Sequence, residues 1–251
     1  MIELFCIPFA GGNVYSYQRL AKHVPGHIKV TPLEPPGRGR RSREALLYTI
    51  RAMTDDLLAQ IQAKAAGAYA LYGHSLGAYL GYMAAQRLVA EQATPPRHLF
   101  ISGSAGPSFP RTKAHIHHLA KNAFLAEVDR YGGLPKEILA HKEMIDYFEP
   151  ILRADFQAIE TNVHRPLAPL DIPMTVMAGS QDRIVPPDHA RLWQKESRRP
   201  FTFEVFPGEH FFIFEHWPRI GEIMAKTLQD PSDPMVAPSL PDDPPQAGPI
   251  M

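Results

Sequence analysis

Short apolar runs alternate along this chain with segments whose apolar residues recur every three or four positions. The runs at 4–8, 28–33, 68–72, 98–102 and 174–178 have the length of buried strands, and 201–206 alternates as a half-buried strand does. In the intervening segments Ile50, Met53, Leu57 and Ile61 share one helical face, and Leu80, Met83, Ala84 and Leu88 share another. Further helices are expected at 15–23, 188–196 and about 212–228. The alternation predicts an α/β fold, a mostly parallel central sheet with helices on both faces.

Two segments break the rhythm. Residues 105–165 show helical spacing and no strand: Leu119, Ala123 and Phe124 suggest one helix, and Ile145 and Phe148, then Leu152, Phe156 and Ile159, suggest others interrupted at Pro150. A helical insertion between two core strands is placed to act as a lid over the sheet edge. Residues 231–251 hold seven of the 26 prolines and few large apolar side chains. Such a stretch buries too little surface to offset its ordering entropy, so a disordered tail is expected there. The chain reads as one domain over 1–230, with the lid at about 105–165, followed by that tail.

Composition narrows the function classes. The 251 residues include 26 basic and 26 acidic side chains, a zero net charge that gives no footing for nucleic acid or a polybasic membrane contact. One cysteine allows no internal disulfide. The opening Met1-Ile2-Glu3-Leu4-Phe5-Cys6-Ile7 lacks the basic flank and cleavage site of a signal peptide, and no apolar run is long enough to span a bilayer. A cytoplasmic monomer without cofactor or metal is the expectation.

The candidate chemistry centres on Gly73-His74-Ser75-Leu76-Gly77. This G-x-S-x-G pattern sits between an expected strand and an expected helix, the context of a nucleophile elbow. A serine hydroxyl needs an imidazole to take its proton and an acid to orient that imidazole. Asp182 follows the strand at 174–178, and His210 follows the strand at 201–206. Both therefore fall at the carboxyl strand ends, the edge where Ser75 lies and where open α/β sheets bind ligands. The order serine, acid, histidine is that of α/β-hydrolases. Two oxyanion donors are also required. The Leu76 amide is one candidate; the other comes from Pro8-Phe9-Ala10-Gly11-Gly12, with Ala10 first and Gly11 as the alternative. His115, His117 and His118 lack an acidic or cysteine partner at metal-site spacing and read as a solvated lid segment. Cys6 reads as a small core residue, and Arg38, Arg40, Arg41 and Arg43 as a solvated basic loop with anion or partner binding as the alternative.

Together, several stretches carry a family resemblance. Phe5-Cys6-Ile7-Pro8-Phe9-Ala10-Gly11-Gly12, Pro36-Gly37-Arg38-Gly39-Arg40, the elbow with Ala78, Pro150-Ile151-Leu152-Arg153-Ala154-Asp155-Phe156 and Gly208-Glu209-His210-Phe211-Phe212 resemble type II thioesterases. These are stand-alone editing hydrolases of polyketide and nonribosomal peptide assembly lines. The likeness covers about residues 2–228 and leaves out the proline-rich end. It implies an α/β-hydrolase fold and hydrolysis of acyl thioesters from the phosphopantetheine arm of acyl or peptidyl carrier proteins. It also implies Ser75, Asp182 and His210 as the triad. Two departures stand out: Gln181 and Arg183 flank Asp182 where the family often has further acidic residues, and Glu209 replaces a usual glycine. The alternatives are a general carboxylesterase or acyl-CoA thioesterase without carrier specificity, and a non-catalytic carrier-binding module.

Overall fold

Six strands share one sheet, and the central ones, buried along their whole length, need cover on both faces. The six are β1 (Ile2–Ile7), β2 (Ile28–Pro32), β3 (Tyr69–His74), β4 (Leu99–Ser102), β5 (Met174–Gly179) and β6 (Phe201–Phe206), in the order β2-β1-β3-β4-β5-β6. Every neighbouring pair is parallel. The computed structural model describes residues 1–109, 115–132 and 140–229; the expected tail at 231–251 lies outside the described residues, as do parts of the expected lid.

The helices are α1 (Ile50–Lys64), α2 (Leu76–Ala90), α3 (Lys121–Asp129), α4 (Lys142–Glu160), α5 (Pro187–Arg191) and α6 (Trp217–Thr227). The two-residue period of the strands divides the core between them. Phe5, Ile7, Leu71, Ile101 and Val176 pack with α1 and α2 in one cluster. Leu4, Cys6, Ala70, Tyr72, Phe100 and Met177 pack with α6 in the other. Cys6 is thus a core residue, and burial raises its thiol pKa.

Four expected elements differ. Residues 15–23 form two 3₁₀ turns, Val14–Tyr17 and Leu20–Lys22, in place of a helix. Asn13 caps the first, and the buried Tyr17 hydroxyl donates to the Ile7 carbonyl at 2.8 Å, holding the turn onto β1. The helix expected at 188–196 is the short α5 followed by a 3₁₀ turn at Leu192–Glu196, which buries Trp193 with its indole N–H on the Ser104 carbonyl. The last helix begins at Trp217 after a separate turn at Phe212–Phe214, because Pro218 fits the first helical turn, where no intrahelical N–H is needed. Conversely, Pro150 does not interrupt α4. A buried stripe of Ile151, Leu152, Ala154, Asp155, Phe156 and Ala158 continues beyond it, and that burial outweighs one lost backbone bond.

Buried histidines make acid stability a consequence of this core. His98 is buried beside Phe100, with its Nε2 2.9 Å from Thr175 Oγ1, and burial lowers its pKa from 6.5 to about 4. The folded state therefore binds this proton less readily than the unfolded chain. Its contribution is fully present above about pH 6.5 and is lost as pH falls towards 4, a change of roughly 3 kcal/mol. The melting temperature of wild type should fall more steeply between those limits than that of His98→Asn. Parallel slopes would remove His98 from the account.

Candidate active site

The strand order reverses direction between β1 and β3, and the loops leaving those strands open at the same carboxyl edge. The loop after β1 carries Ala10 and Gly11; the turn after β3 carries Ser75. Ser75 has φ +53° and ψ −117°, outside the ordinary regions for a residue with a side chain. Two glycines permit that turn. A Cβ on Gly73 would lie 2.2 Å from the Gly77 backbone, and one on Gly77 would lie 2.1 Å from the Ile7 carbonyl oxygen. The Ser75 amide donates to the Ser102 carbonyl at 2.8 Å, tying the strained turn to β4.

The structure brings the three expected side chains together. Ser75 Oγ lies 3.1 Å from His210 Nε2, and His210 Nδ1 lies 2.8 Å from Asp182 Oδ2. The other Asp182 oxygen accepts the amides of Ile184 and Val185 at 2.9 and 2.8 Å. The carboxylate is therefore oriented, and its second oxygen is left for the Nδ1–H of His210. This tautomer leaves Nε2 as the acceptor for the serine proton. Asp182 and His210 are buried, whereas Glu209 is exposed beside them. Such a chain can activate a hydroxyl for attack on a carbonyl.

Hydrogen-bond accounting separates the oxyanion candidates. The Gly11 amide donates to Asp155 Oδ2 at 2.8 Å and the Gly12 amide closes a turn on Phe9. Among the described residues the amides of Ala10 and Leu76 have no partner. A cavity of about 30 Å³ adjoins Phe9 and Leu76 and is lined mostly by apolar side chains.

Sequence reasoning missed His74. It is fully buried, its Nδ1 is 3.0 Å from Ser102 Oγ, and its ring centroid is 5.0 Å from that of His210. Burial, and then the proximity of His210, lowers its pKa well below the ordinary value, so it adds no positive charge beside His210. The position inside G-x-S-x-G gave no signal for this.

The basic loop is also different from expectation. Arg38 is buried and forked onto Asp155, and Arg41 is forked onto Glu44 and Asp56. Only Arg40 and Arg43 of that run are exposed. Nor are all three lid histidines solvated. His117 is buried with Nδ1 against the Glu160 carboxylate, which also accepts the amides of Ile116 and His117. This acidic partner lies 43 residues away, beyond any fixed motif spacing. The donor atoms of His115, His117 and Glu160 fall within 4.8 Å of one another. The carboxylate's existing bonds fasten the segment before α3 to the end of α4.

Residues 2–228 match the family described as thioesterase domain. The chain belongs to the thioesterase family. Its fold is that of the α/β-hydrolases, shared with solved thioesterase structures. The gramicidin S biosynthesis protein GrsT of Aneurinibacillus migulanus is 30% identical over 228 residues, 91% of this chain and 89% of that one. The crystal structure of ClbQ from the colibactin NRPS/PKS pathway superposes with a TM-score of 0.86 at 30% identity, covering 90% of this chain and 96% of ClbQ. The type II thioesterase BorB from the borrelidin biosynthetic cluster gives 0.79 at 30% identity, covering 90% of each chain. No helix among the described residues of this thioesterase is long and apolar enough to cross a membrane.

Proposed function

We propose that this thioesterase is a type II enzyme that hydrolyses acyl thioesters held on the phosphopantetheine arm of a carrier protein. The observation that carries the chemistry is the hydrogen-bonded series Ser75–His210–Asp182 at one sheet edge. The similarity to GrsT, ClbQ and BorB supports the assembly-line setting.

In the proposed reaction His210 takes the Ser75 proton as Oγ attacks the thioester carbonyl. The Ala10 and Leu76 amides stabilise the oxyanion. The C–S bond breaks, the pantetheine sulfur leaves as the thiol with the proton from His210, and the acyl group remains on Ser75. Water, deprotonated by His210, then attacks the acyl-serine and releases the carboxylic acid and the free serine. Asp182 fixes the imidazole tautomer and stabilises the imidazolium. One chain supplies every group, so the proposed reaction needs no residue from a second copy.

A carrier preference must arise away from the carbonyl, because the bond broken is the same in an acyl-CoA. Arg40 and Arg43 are the exposed members of the basic loop and the candidate contacts for an acidic carrier. The test is kcat/KM for matched acyl-carrier, acyl-CoA and simple ester substrates at low and high salt. The carrier substrate should be favoured, and less so at high salt, where exposed charges are screened. Equal values for carrier and CoA at both salts would leave a general acyl thioesterase. A preference that survives Arg40→Glu with Arg43→Glu would discard the loop and keep the function.

A further inference from the structure

The loop that offers Ala10 is held from the lid side. Asp155 lies on α4, 144 residues from Gly11, and its Oδ2 accepts the Gly11 amide at 2.8 Å. The same carboxylate takes both terminal nitrogens of Arg38 at 2.7 Å. Arg38 Nη1 also lies 3.4 Å from the Gly12 carbonyl oxygen. The ion pair therefore grips this short loop at two points, one amide and one carbonyl. Asp155 is 1% exposed and Arg38 3%. One turn before Asp155 on α4, Leu152 covers Gly11, where φ is +76° and a Cβ would come within 2.7 Å of the leucine. Ala10 packs against the lid cluster of Ile116, Phe124, Val128, Leu152 and Phe156.

A buried ion pair is weak evidence of a stabilising device, since desolvation offsets most of its attraction. The present pair does something a plain pair need not do: its carboxylate binds the amide next to the proposed oxyanion donor. Fixing Gly11 fixes the peptide that follows Ala10 and limits the rotation of the Ala10 amide. Oxyanion donors act by being preorganised, and small misplacement near a reacting centre is costly.

We propose that Asp155 is a positioning residue for the oxyanion hole, so that the Ala10 and Leu76 donors are aligned only while α4 is seated on Arg38. This inference rests on the serine-hydrolase reading above. It makes lid seating and oxyanion stabilisation one event.

Asp155→Asn tests it. An asparagine keeps the volume but cannot satisfy Gly11 and both Arg38 nitrogens, because one of its two polar atoms is a donor. On an acyl-pantetheine thioester, kcat should fall by on the order of 10²-fold, with KM nearly unchanged. Affinity for a trifluoromethyl ketone analogue, which forms the oxyanion, should fall by a similar factor. Affinity for a non-hydrolysable thioether should not. Wild-type kcat, or equal loss of affinity for both analogues, would overturn the proposal. A second variant exchanges the charges, Arg38→Asp with Asp155→Arg. A guanidinium cannot accept the Gly11 amide, so turnover should stay low; recovered turnover would show that only the ion pair matters. Should neither variant fold, amide exchange on the wild-type protein decides: Gly11 should exchange no faster than the opening of α4, and free exchange of Gly11 under a protected α4 would overturn the idea. Ser75→Ala run alongside separates the two readings. If Ser75→Ala turns over normally, the proposed reaction fails. If Ser75 is required but Asp155→Asn is normal, only the positioning role fails.

Discussion

Ser75→Ala is expected to abolish thioester hydrolysis, a loss on the order of 10⁶-fold in kcat, while leaving the fold intact. The substitution removes one oxygen atom. The Ser75 amide still donates to Ser102, and the glycines that permit the turn remain in place. Alanine carries the same backbone strain as serine at φ +53°, so stability should change by about 1 kcal/mol or less. Turnover and melting temperature, measured on one preparation, check both halves. A folded Ser75→Ala protein with near-normal turnover would remove the nucleophile from this position.

Asp182→Asn is expected to lower kcat by on the order of 10⁴-fold. The surroundings dictate how the new amide must sit. Ile184 and Val185 direct two N–H groups at one side of the residue, so the asparagine oxygen turns towards them. Its NH₂ group then faces His210 Nδ1, which must accept. The imidazole proton moves to Nε2, and a donor faces the Ser75 hydroxyl where an acceptor is needed. The measurement is single-turnover acylation of Ser75 in both proteins. Acylation at the wild-type rate would mean that another carboxylate, or none, orients His210.

The legible and illegible parts of this chain follow from the range of the interactions involved. Ser75, Asp182 and His210 each directly follow or lie within four residues of a strand end, and parallel strands place those ends on one edge. Local strand signals were therefore enough to bring together residues 135 positions apart. Setting aside Gly11 in favour of Ala10 as the proposed donor beside Leu76 needed the Asp155 carboxylate, which no local pattern connects to Gly11. The same is true of Arg38: its run of arginines looks solvated in sequence, and only a partner 117 residues away shows it to be buried. Helix type was the other weak point. The segments near residues 15, 190 and 212 have helical spacing, but each is tied by a buried aromatic side chain or a proline into a shorter, tighter turn. Pro150 misled in the opposite direction, because the buried face of α4 runs past it.

The most direct test of the central claim is the intact mass of an acyl-carrier protein followed over time with catalytic amounts of wild type and of Ser75→Ala. The account predicts that wild type converts the acyl-carrier to its free-thiol form over many turnovers, and that Ser75→Ala leaves the acyl mass in place. An acyl-carrier that keeps its mass with wild-type protein active on a simple ester, or one that loses it equally with both proteins, would contradict the account.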